Sequence, residues 1–504
     1  MSGFAVGCGE PDRESIEQMM GRIAHRGPFL YGVRESGAVM AGQNYLHADA
    51  PQARDGAEVP CHDDGGRFVT WDGQIGNLPA LAEEEGVRPG AFREERLLLH
   101  LYEHHGADMF KFLNDAIFTC VVCDNGRMLA ARDLLGIKTL FYGRRDGTLY
   151  LASELKALCA ITDDVNEFPP GHCMDESGAL KPFASLPEPP QPVREETEAI
   201  IAKVRDIIQR SFDAHVDFSA PTASLLSGGM DSSVIACLAT DALRRREGPG
   251  ARLKTYAIGV GESGDIHNAR VVAEHLNTDH EELLVTLEQV IEALPDVIYN
   301  LESFDPSLVR SAVANFLISG KAREAGYEVL LSGEGGDEIF CGYAYLKDRP
   351  LSELTEQQIQ CLGYLHSNAS LRLDRMNLGH SMRVVAPLIS GELLDYALTL
   401  PPDVKLHEEE DGTKVEKWIF RKAYEPDLPD VITKRLKAEF SQGSGSAGVM
   451  PQYFEDRYSD EEFAAAQKQY SFVRSKEEWY YFKLFREYFG DGKAAQTVGQ
   501  WPKL

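Results

Sequence analysis

Leu226-Ser227-Gly228-Gly229-Met230-Asp231-Ser232-Ser233 decides how this chain is read. It follows the run Ala223, Ser224, Leu225, Leu226 and leads into Val234-Ile235-Ala236-Cys237-Leu238-Ala239. That order reads as strand, glycine turn, helix. Consecutive backbone N–H groups at such a turn, on a helix N-terminus, suit a phosphate. The glycines let the backbone approach closely and tolerate positive φ. Ser227, Ser232 and Ser233 can donate hydroxyl hydrogen bonds to phosphate oxygens. Asp231 would repel a bare phosphate, so it makes sense with a bridging cation. Mg²⁺ held by carboxylates and phosphates is the usual arrangement. No Gly-Lys-Ser/Thr follows, so this is not the Walker loop. The octapeptide points to ATP or pyrophosphate with Mg²⁺; its bland alternative is a plain glycine turn in an α/β domain.

Around it, strands alternate with helices. Strands are predicted over 223–228, 254–260, 280–285 and 327–332, and helices over 232–245, 266–277, 287–301 and 311–325. That alternation predicts a doubly wound parallel sheet. A second glycine turn, Leu331-Ser332-Gly333-Glu334-Gly335-Gly336-Asp337-Glu338, follows the last of these strands. Ligands of such sheets bind outside the carboxyl ends of the strands, so both turns should face one crevice. From about 350 onward the pattern is mainly helical. Upstream, residues 1–185 carry short apolar or alternating runs such as 68–73, 128–132 and 148–152, and predict an α+β sandwich. A Pro-rich linker spans 186–194, and 195–504 forms the second unit. The fold class is therefore α/β, with an α+β sandwich ahead of a doubly wound sheet and a helical C-terminal part.

A chain of 504 residues fits two to four domains. No run of 18 apolar residues occurs, which argues against a membrane span. The start, Met1-Ser2-Gly3-Phe4-Ala5, has no basic segment of a signal peptide, so a cytoplasmic location is expected. Nine cysteines, an odd number, do not suggest a disulfide framework. Cys120 and Cys123 are spaced as CxxC but lie in a buried-strand pattern. The net charge of −28 would repel nucleic acid. This argues against the tRNA-modifying enzymes that use a similar glycine turn.

With both turns in view, the chain resembles the glutamine-dependent asparagine synthetases, and is related to the β-lactam synthetases. The likeness runs through Ala24-His25-Arg26-Gly27-Pro28, Ala131-Arg132-Asp133-Leu134-Leu135-Gly136, Ala152-Ser153-Glu154-Leu155-Lys156 and Phe168-Pro169-Pro170-Gly171. It continues in both glycine turns, Tyr256-Ala257-Ile258-Gly259, Gly342-Tyr343 and Arg435-Leu436-Lys437-Ala438-Glu439-Phe440-Ser441. The resemblance implies an N-terminal glutaminase domain of the Ntn-hydrolase fold. It also implies a C-terminal ATP-pyrophosphatase domain that activates a carboxylate as its adenylate, with an ammonia tunnel between the two.

The glutaminase half departs from that pattern. The family's nucleophilic cysteine after Met1 is Ser2 here, and a hydroxyl ionises far less readily than a thiol. The family's glutamine-gripping arginine falls at Asn44. Its oxyanion-hole Asn-Gly reads Asp72-Gly73, and a carboxylate there would repel the oxyanion. Its amine-holding aspartate falls at Glu94, followed by Arg96 where an acid is usual. These losses in one pocket point to an inactive glutaminase, with a Ser2 amidase as the alternative.

The rear half keeps what adenylation needs. By resemblance, Leu226, Ile258, Ser332 and Gly333 line the nucleotide with the Ser227–Ser233 turn, including Gly228 and Gly229. Asp231 and Asp337 would hold Mg²⁺, and Lys437 would stabilise charge on the pentavalent phosphorus. Glu334, a carboxylate between glycines, suits the base that takes a proton from the attacking amine. The β-lactam synthetases carry a tyrosine there, so Glu334 favours an intermolecular donor. Arg310 and Glu338 match substrate-side positions. The family's Arg-Val-Pro-Phe-Leu-Asp, however, reads Val385-Ala386-Pro387-Leu388-Ile389-Ser390, with Arg383 close by. That leaves room for an acceptor other than aspartate.

The sequence thus predicts an AMP-forming amide ligase that couples a carboxylic acid to ammonia or a small amine such as hydroxylamine. No nucleic-acid or membrane partner is expected, and the chain could pair as a homodimer. The alternatives are a glutamine-dependent asparagine synthetase working through Ser2, a hydroxamate- or amide-forming biosynthetic enzyme of the same fold, and a non-catalytic ATP-binding protein.

Overall fold

The computed structural model describes the chain except residues 1, 51–52, 54–56, 64, 89, 262, 436–442, 444 and 502–504. Lys437 therefore lies outside the described residues. Two six-stranded antiparallel sheets form the front half. In the first, strand Ser2–Cys8 lies between Val39–Tyr45 and Thr148–Ala152. In the second, Phe68–Ile75 pairs with Ala116–Asp124, setting Asp72 opposite Thr119. The inner faces meet through Phe4, Val6, Val39, Phe68, Val121 and Leu151.

A helix covers each outer face. Arg13–Arg22 lays Ile16, Met19 and Met20 beside Ala5 and Met40 of the first sheet. Arg93–His105 lays Leu97, Leu98 and Leu101 beside Trp71, Phe118 and Val122 of the second. The period-2 alternation of the strands and the 3.6-residue stripe of the helices build this four-layer sandwich. Cys120 and Cys123 sit three apart on one strand and point to opposite faces, into separate apolar clusters.

The rear half is built on a five-stranded parallel sheet. Its order is Asp279–Val285, Lys254–Val260, Thr222–Leu225, Val329–Leu331, Arg383–Val385. The last strand falls in the region expected to be helical. It is three residues long, too short for a period-2 pattern to register. The chain starts this sheet in the middle, moves outward twice, then returns to the other side of its first strand. The switch point lies between Thr222–Leu225 and Val329–Leu331, and each is followed by one of the two glycine turns.

One apolar cluster joins the halves, from Ile16 and Leu158 in front to Val297, Val309 and Phe485 behind. No helix among the described residues is long and apolar enough to cross a membrane.

Candidate active site

At the switch point the two glycine turns pack back to back. Gly228 has φ +66°, and a Cβ there would lie 2.4 Å from the Ala269 nitrogen. A Cβ on Gly333 would lie 2.5 Å from the Ser232 nitrogen. Only glycine permits both approaches. Helix Met230–Glu247 starts at the first turn, so its free N–H groups and positive dipole end face the gap. The Ser227 and Ser232 hydroxyls lie 3.0 Å apart, and the Gly229 N–H points to Ser227 Oγ at 3.3 Å.

Together these elements wall a crevice of about 210 Å³. Leu226, Ser227, Gly229, Asp231, Ser232, Ile258, Ser332, Gly333, Glu334 and Asp337 all line it. Gly228 and Ser233 do not. Gly228 makes the bend, and the Ser233 hydroxyl turns back to the Gly229 carbonyl at 2.7 Å.

Asp231 and Asp337 converge from the two turns, and Lys417 joins them. Its ammonium contacts Asp231 and lies 2.7 Å from Asp337. Lys417 was not legible in the sequence. It sits some way downstream, at the left-handed start of helix Trp418–Tyr424, and no spacing ties it to either turn. Asp231 Oδ1 remains buried without a hydrogen-bond partner among the described residues. Two hard oxygen donors and an orphaned lone pair fit a divalent cation.

Glu334 carries an ion pair with Arg372, which also lines the crevice. Glu338 lies behind it, and its carboxylate accepts from the Tyr343 hydroxyl. Burial, reinforced by Glu334 and Asp337, pushes Glu338 up to about 7. Arg310 is not among the crevice residues. Its guanidinium is engaged by buried Glu477, with Nε 2.9 Å from Oε1. Arg383 reaches the front half, where it contacts Asp49 at 3.5 Å. Ser390 caps the helix Gly391–Thr399.

The front pocket is differently made. Ser2 is 1% exposed, and its hydroxyl donates to the Trp71 carbonyl while accepting from Gln43 Nε2 at 2.8 Å. Asn44 accepts from the Gly3 N–H at 2.7 Å and donates to the Ile23 carbonyl at 3.0 Å. Glu94 accepts from the Ile75 N–H at 2.8 Å and the Trp71 indole at 3.2 Å. Gly73 lies against Trp71, Ile117 and Phe118. Asp72 accepts from the Ser2 N–H at 3.0 Å and pairs with Arg26 at 2.6 Å.

Arg26 also holds Glu154 at 2.8 Å and Asp374 at 2.9 Å, and Lys138 holds Asp374 at 2.9 Å. All are buried, and the cluster ties the front half to the rear. Burial alone would raise Asp374, yet Arg26 and Lys138 hold it well below the usual carboxylate range.

The asparagine synthase profile matches residues 203–363 and 351–501, and a glutamine amidotransferase domain profile matches residues 1–178. The chain belongs to the asparagine synthase family. A probable glutamine-hydrolysing asparagine synthetase of Dictyostelium discoideum is 30% identical over 522 residues, 97% of this chain and 93% of that protein. Asparagine synthetase 2 of Arabidopsis thaliana is 30% identical over 525 residues, 99% of this chain and 89% of that protein. As a member of the asparagine synthase family, this protein is a carbon–nitrogen ligase of the AMP-forming type. The observed layers are the α+β sandwich and the parallel sheet that the sequence predicted.

Proposed function

We propose that this protein adenylates a carboxylic acid with ATP and Mg²⁺ and transfers the acyl group to ammonia or a small amine from solvent. Glutamine plays no part. Residues 195–504 carry the chemistry, and residues 1–185 persist as a scaffold, joined through 186–194.

The carrying observation is the contrast between two pockets in one chain. Ser2, Asn44, Asp72 and Glu94 in front are each bonded to protein, whereas the rear crevice is open and lined by the two glycine turns.

In the first step, an acceptor carboxylate oxygen attacks the α-phosphorus and pyrophosphate leaves. The Ser227–Ser233 turn and the helix N-terminus behind it hold the departing phosphates. Asp231 and Asp337 would hold Mg²⁺, which neutralises phosphate charge when bound. Lys417 keeps those carboxylates together. In the second step, the amine nitrogen attacks the acyl carbon, the C–N bond forms, the C–O bond to AMP breaks, and one proton leaves the nitrogen. Glu334 stands at the crevice to receive it, positioned by Arg372.

Neither Val385 nor Ser390 supplies the charged group usual for aspartate. Val385 is a buried sheet residue and Ser390 a helix cap. This supports an acceptor other than aspartate, larger or less charged.

Pyrophosphate exchange across a panel of acids, each then given ammonia, hydroxylamine or glutamine, tests the proposal. Exchange with a non-aspartate acid and amide product from ammonia or hydroxylamine are expected, with no glutamate formed from glutamine. Glutamate release from glutamine would overturn it.

A further inference from the structure

Part of the rear crevice wall is aromatic. Tyr343, Tyr345 and Trp501 all line it. Tyr343 and Tyr345 are stacked with ring centroids 5.7 Å apart, and the Trp501 ring lies 6.3 Å from Tyr343. Tyr364 meets the indole edge-on at 5.9 Å. The Tyr343 hydroxyl donates to Glu338, and the Tyr345 hydroxyl lies 2.7 Å from Cys361 Sγ. Protein groups thus engage both hydroxyls, and what these rings offer a ligand is chiefly carbon.

Trp501 reaches the crevice on a strap tied to several elements. Gly499 packs on Ser367, where a Cβ would lie 2.6 Å from the Ser367 Cβ. Gln500 Nε2 donates to the Phe472 carbonyl at 3.2 Å and to Glu478 at 3.2 Å. The Trp501 N–H donates to Asp305 at 3.1 Å, and its carbonyl accepts from Arg474 at 3.1 Å. Arg474 also holds Asp305 at 2.8 Å. Asp305 in turn caps helix Pro306–Glu324, whose Ser307, Ser311 and Asn315 line the same crevice. An indole tethered in this way is placed before a ligand arrives, so binding loses little side-chain entropy.

The charges of the crevice point the same way. Among the described residues Arg372, Lys417, Arg421 and Arg435 line it. Each already faces carboxylate: Arg372 meets Glu334, Lys417 meets Asp231 and Asp337, Arg421 meets Glu416, and Arg435 meets Asp265. A second acidic group on the acceptor would have to displace one of these carboxylates and leave it unmet. An aryl group would instead bury its carbon against the rings, where ring geometry adds to the gain from burial.

We propose that Trp501, with Tyr343 and Tyr345, forms the acceptor subsite and selects a monocarboxylic acid that carries an aromatic ring. The proposal rests on the adenylation reading above and names its first substrate. The acceptor ring seats on the indole strap, and its carboxylate lies toward the glycine turns, where the α-phosphorus is attacked. Trp501 sets specificity and takes no part in bond making.

Pyrophosphate exchange by the full-length protein tests this with phenylpropionate, cyclohexylpropionate, butyrate and aspartate. The phenyl acid should show a KM at least threefold below that of the cyclohexyl acid and at least tenfold below those of butyrate and aspartate. Trp501→Ala should raise the phenylpropionate KM at least tenfold and change kcat and the KM for ATP less than twofold, a split that general loss of structure would not give. Trp501→Leu keeps apolar bulk without the ring. It should hold the cyclohexyl KM within twofold and erase the preference for phenyl, and it decides the matter if Trp501→Ala does not fold. No preference for phenyl in wild type, or the same preference in an exchange-competent Trp501→Leu protein, would overturn the proposal. If exchange is absent with every acid, the adenylation reading falls. Calorimetry with phenylpropionate in the presence of ATP then decides the subsite: binding weakened at least threefold by Trp501→Leu supports it, and no binding to wild type overturns it.

Discussion

The two polar centres of this protein are built from similar groups and differ in how their carboxylates are met. In the front pocket Ser2, Asn44, Asp72 and Glu94 spend their hydrogen-bonding capacity on the protein itself. In the rear crevice Asp231 Oδ1 and, behind it, Glu338 Oε2 stay buried and unmet among the described residues. Satisfied buried polar groups hold a structure together, whereas unmet ones mark where a partner is expected. The front centre fastens the halves through Arg26, Lys138 and Asp374, while the rear crevice stays open.

The sharpest way to break this comparison is to disarm the rear centre. Lys417→Met would leave Asp231 and Asp337 facing each other without their shared cation. Loss of one such preorganised charge costs roughly 10²–10³-fold in rate. Exchange should fall by that factor while the far-ultraviolet circular dichroism stays unchanged. Retained exchange would show that Lys417 only props the apo site. Glu334→Ala should leave exchange measurable and abolish amide product; unaffected amide formation would remove Glu334 from the role of base.

A second intervention disarms the front. Asp72→Asn restores the family's residue type but removes one charge from a cluster that also holds Arg26, Lys138 and Asp374. Breaking a buried pair typically costs about 3–5 kcal/mol. Because Arg26 keeps Glu154 and Asp374, a loss near 3 kcal/mol in denaturant unfolding is expected, with no gain of glutaminase activity. Glutamine hydrolysis by Asp72→Asn would show that one residue closes the pocket.

The sequence carried the fold well because its signals were local. Strand–turn–helix at 222–247 and 329–339 is written in glycines, apolar runs and their order. The crevice lining was legible for the same reason, since both glycine turns bring their own neighbours. What was missed came from far along the chain. Lys417 and Arg372 reach the site from helices whose local pattern is ordinary, and strand Arg383–Val385 is too short to announce itself. Arg310 shows the converse: its position in a motif suggested substrate, yet its partner Glu477 comes from a helix near the end of the chain. The front pocket's departures from the family pattern were visible residue by residue, but the ion cluster beside it joins five distant segments.

The two centres should also respond oppositely to pH. Asp374 is held below its ordinary value, so the unfolded chain binds the extra proton first. Its contribution to stability is full above about 4 and is lost as pH falls through its folded value. Glu338 is raised from 4.5 to about 7, so between those values the folded chain binds more protons than the unfolded one. Stability therefore falls as pH rises across that window, by up to about 3 kcal/mol. Denaturant unfolding from pH 3 to 8 should show both limbs. Glu338→Gln should flatten the upper limb alone, and an unchanged upper limb would assign that proton elsewhere.

The smallest effect is expected where a working glutaminase would show the largest. Ser2→Ala deletes a hydroxyl that bonds the Trp71 carbonyl and accepts from Gln43. Gln43 Nε2 also donates to the Trp71 carbonyl at 2.8 Å, so neither group is stranded. A lost bond whose partners stay satisfied costs about 1 kcal/mol or less. Amide formation from ammonia should change less than twofold, and unfolding should shift by no more than that 1 kcal/mol. Against Lys417→Met, the comparison is then direct: the residue standing where the family keeps its nucleophile is nearly silent, while a lysine far from either motif controls the chemistry. A Ser2→Ala protein that lost a glutamine-dependent activity present in wild type would reverse the roles of the two centres.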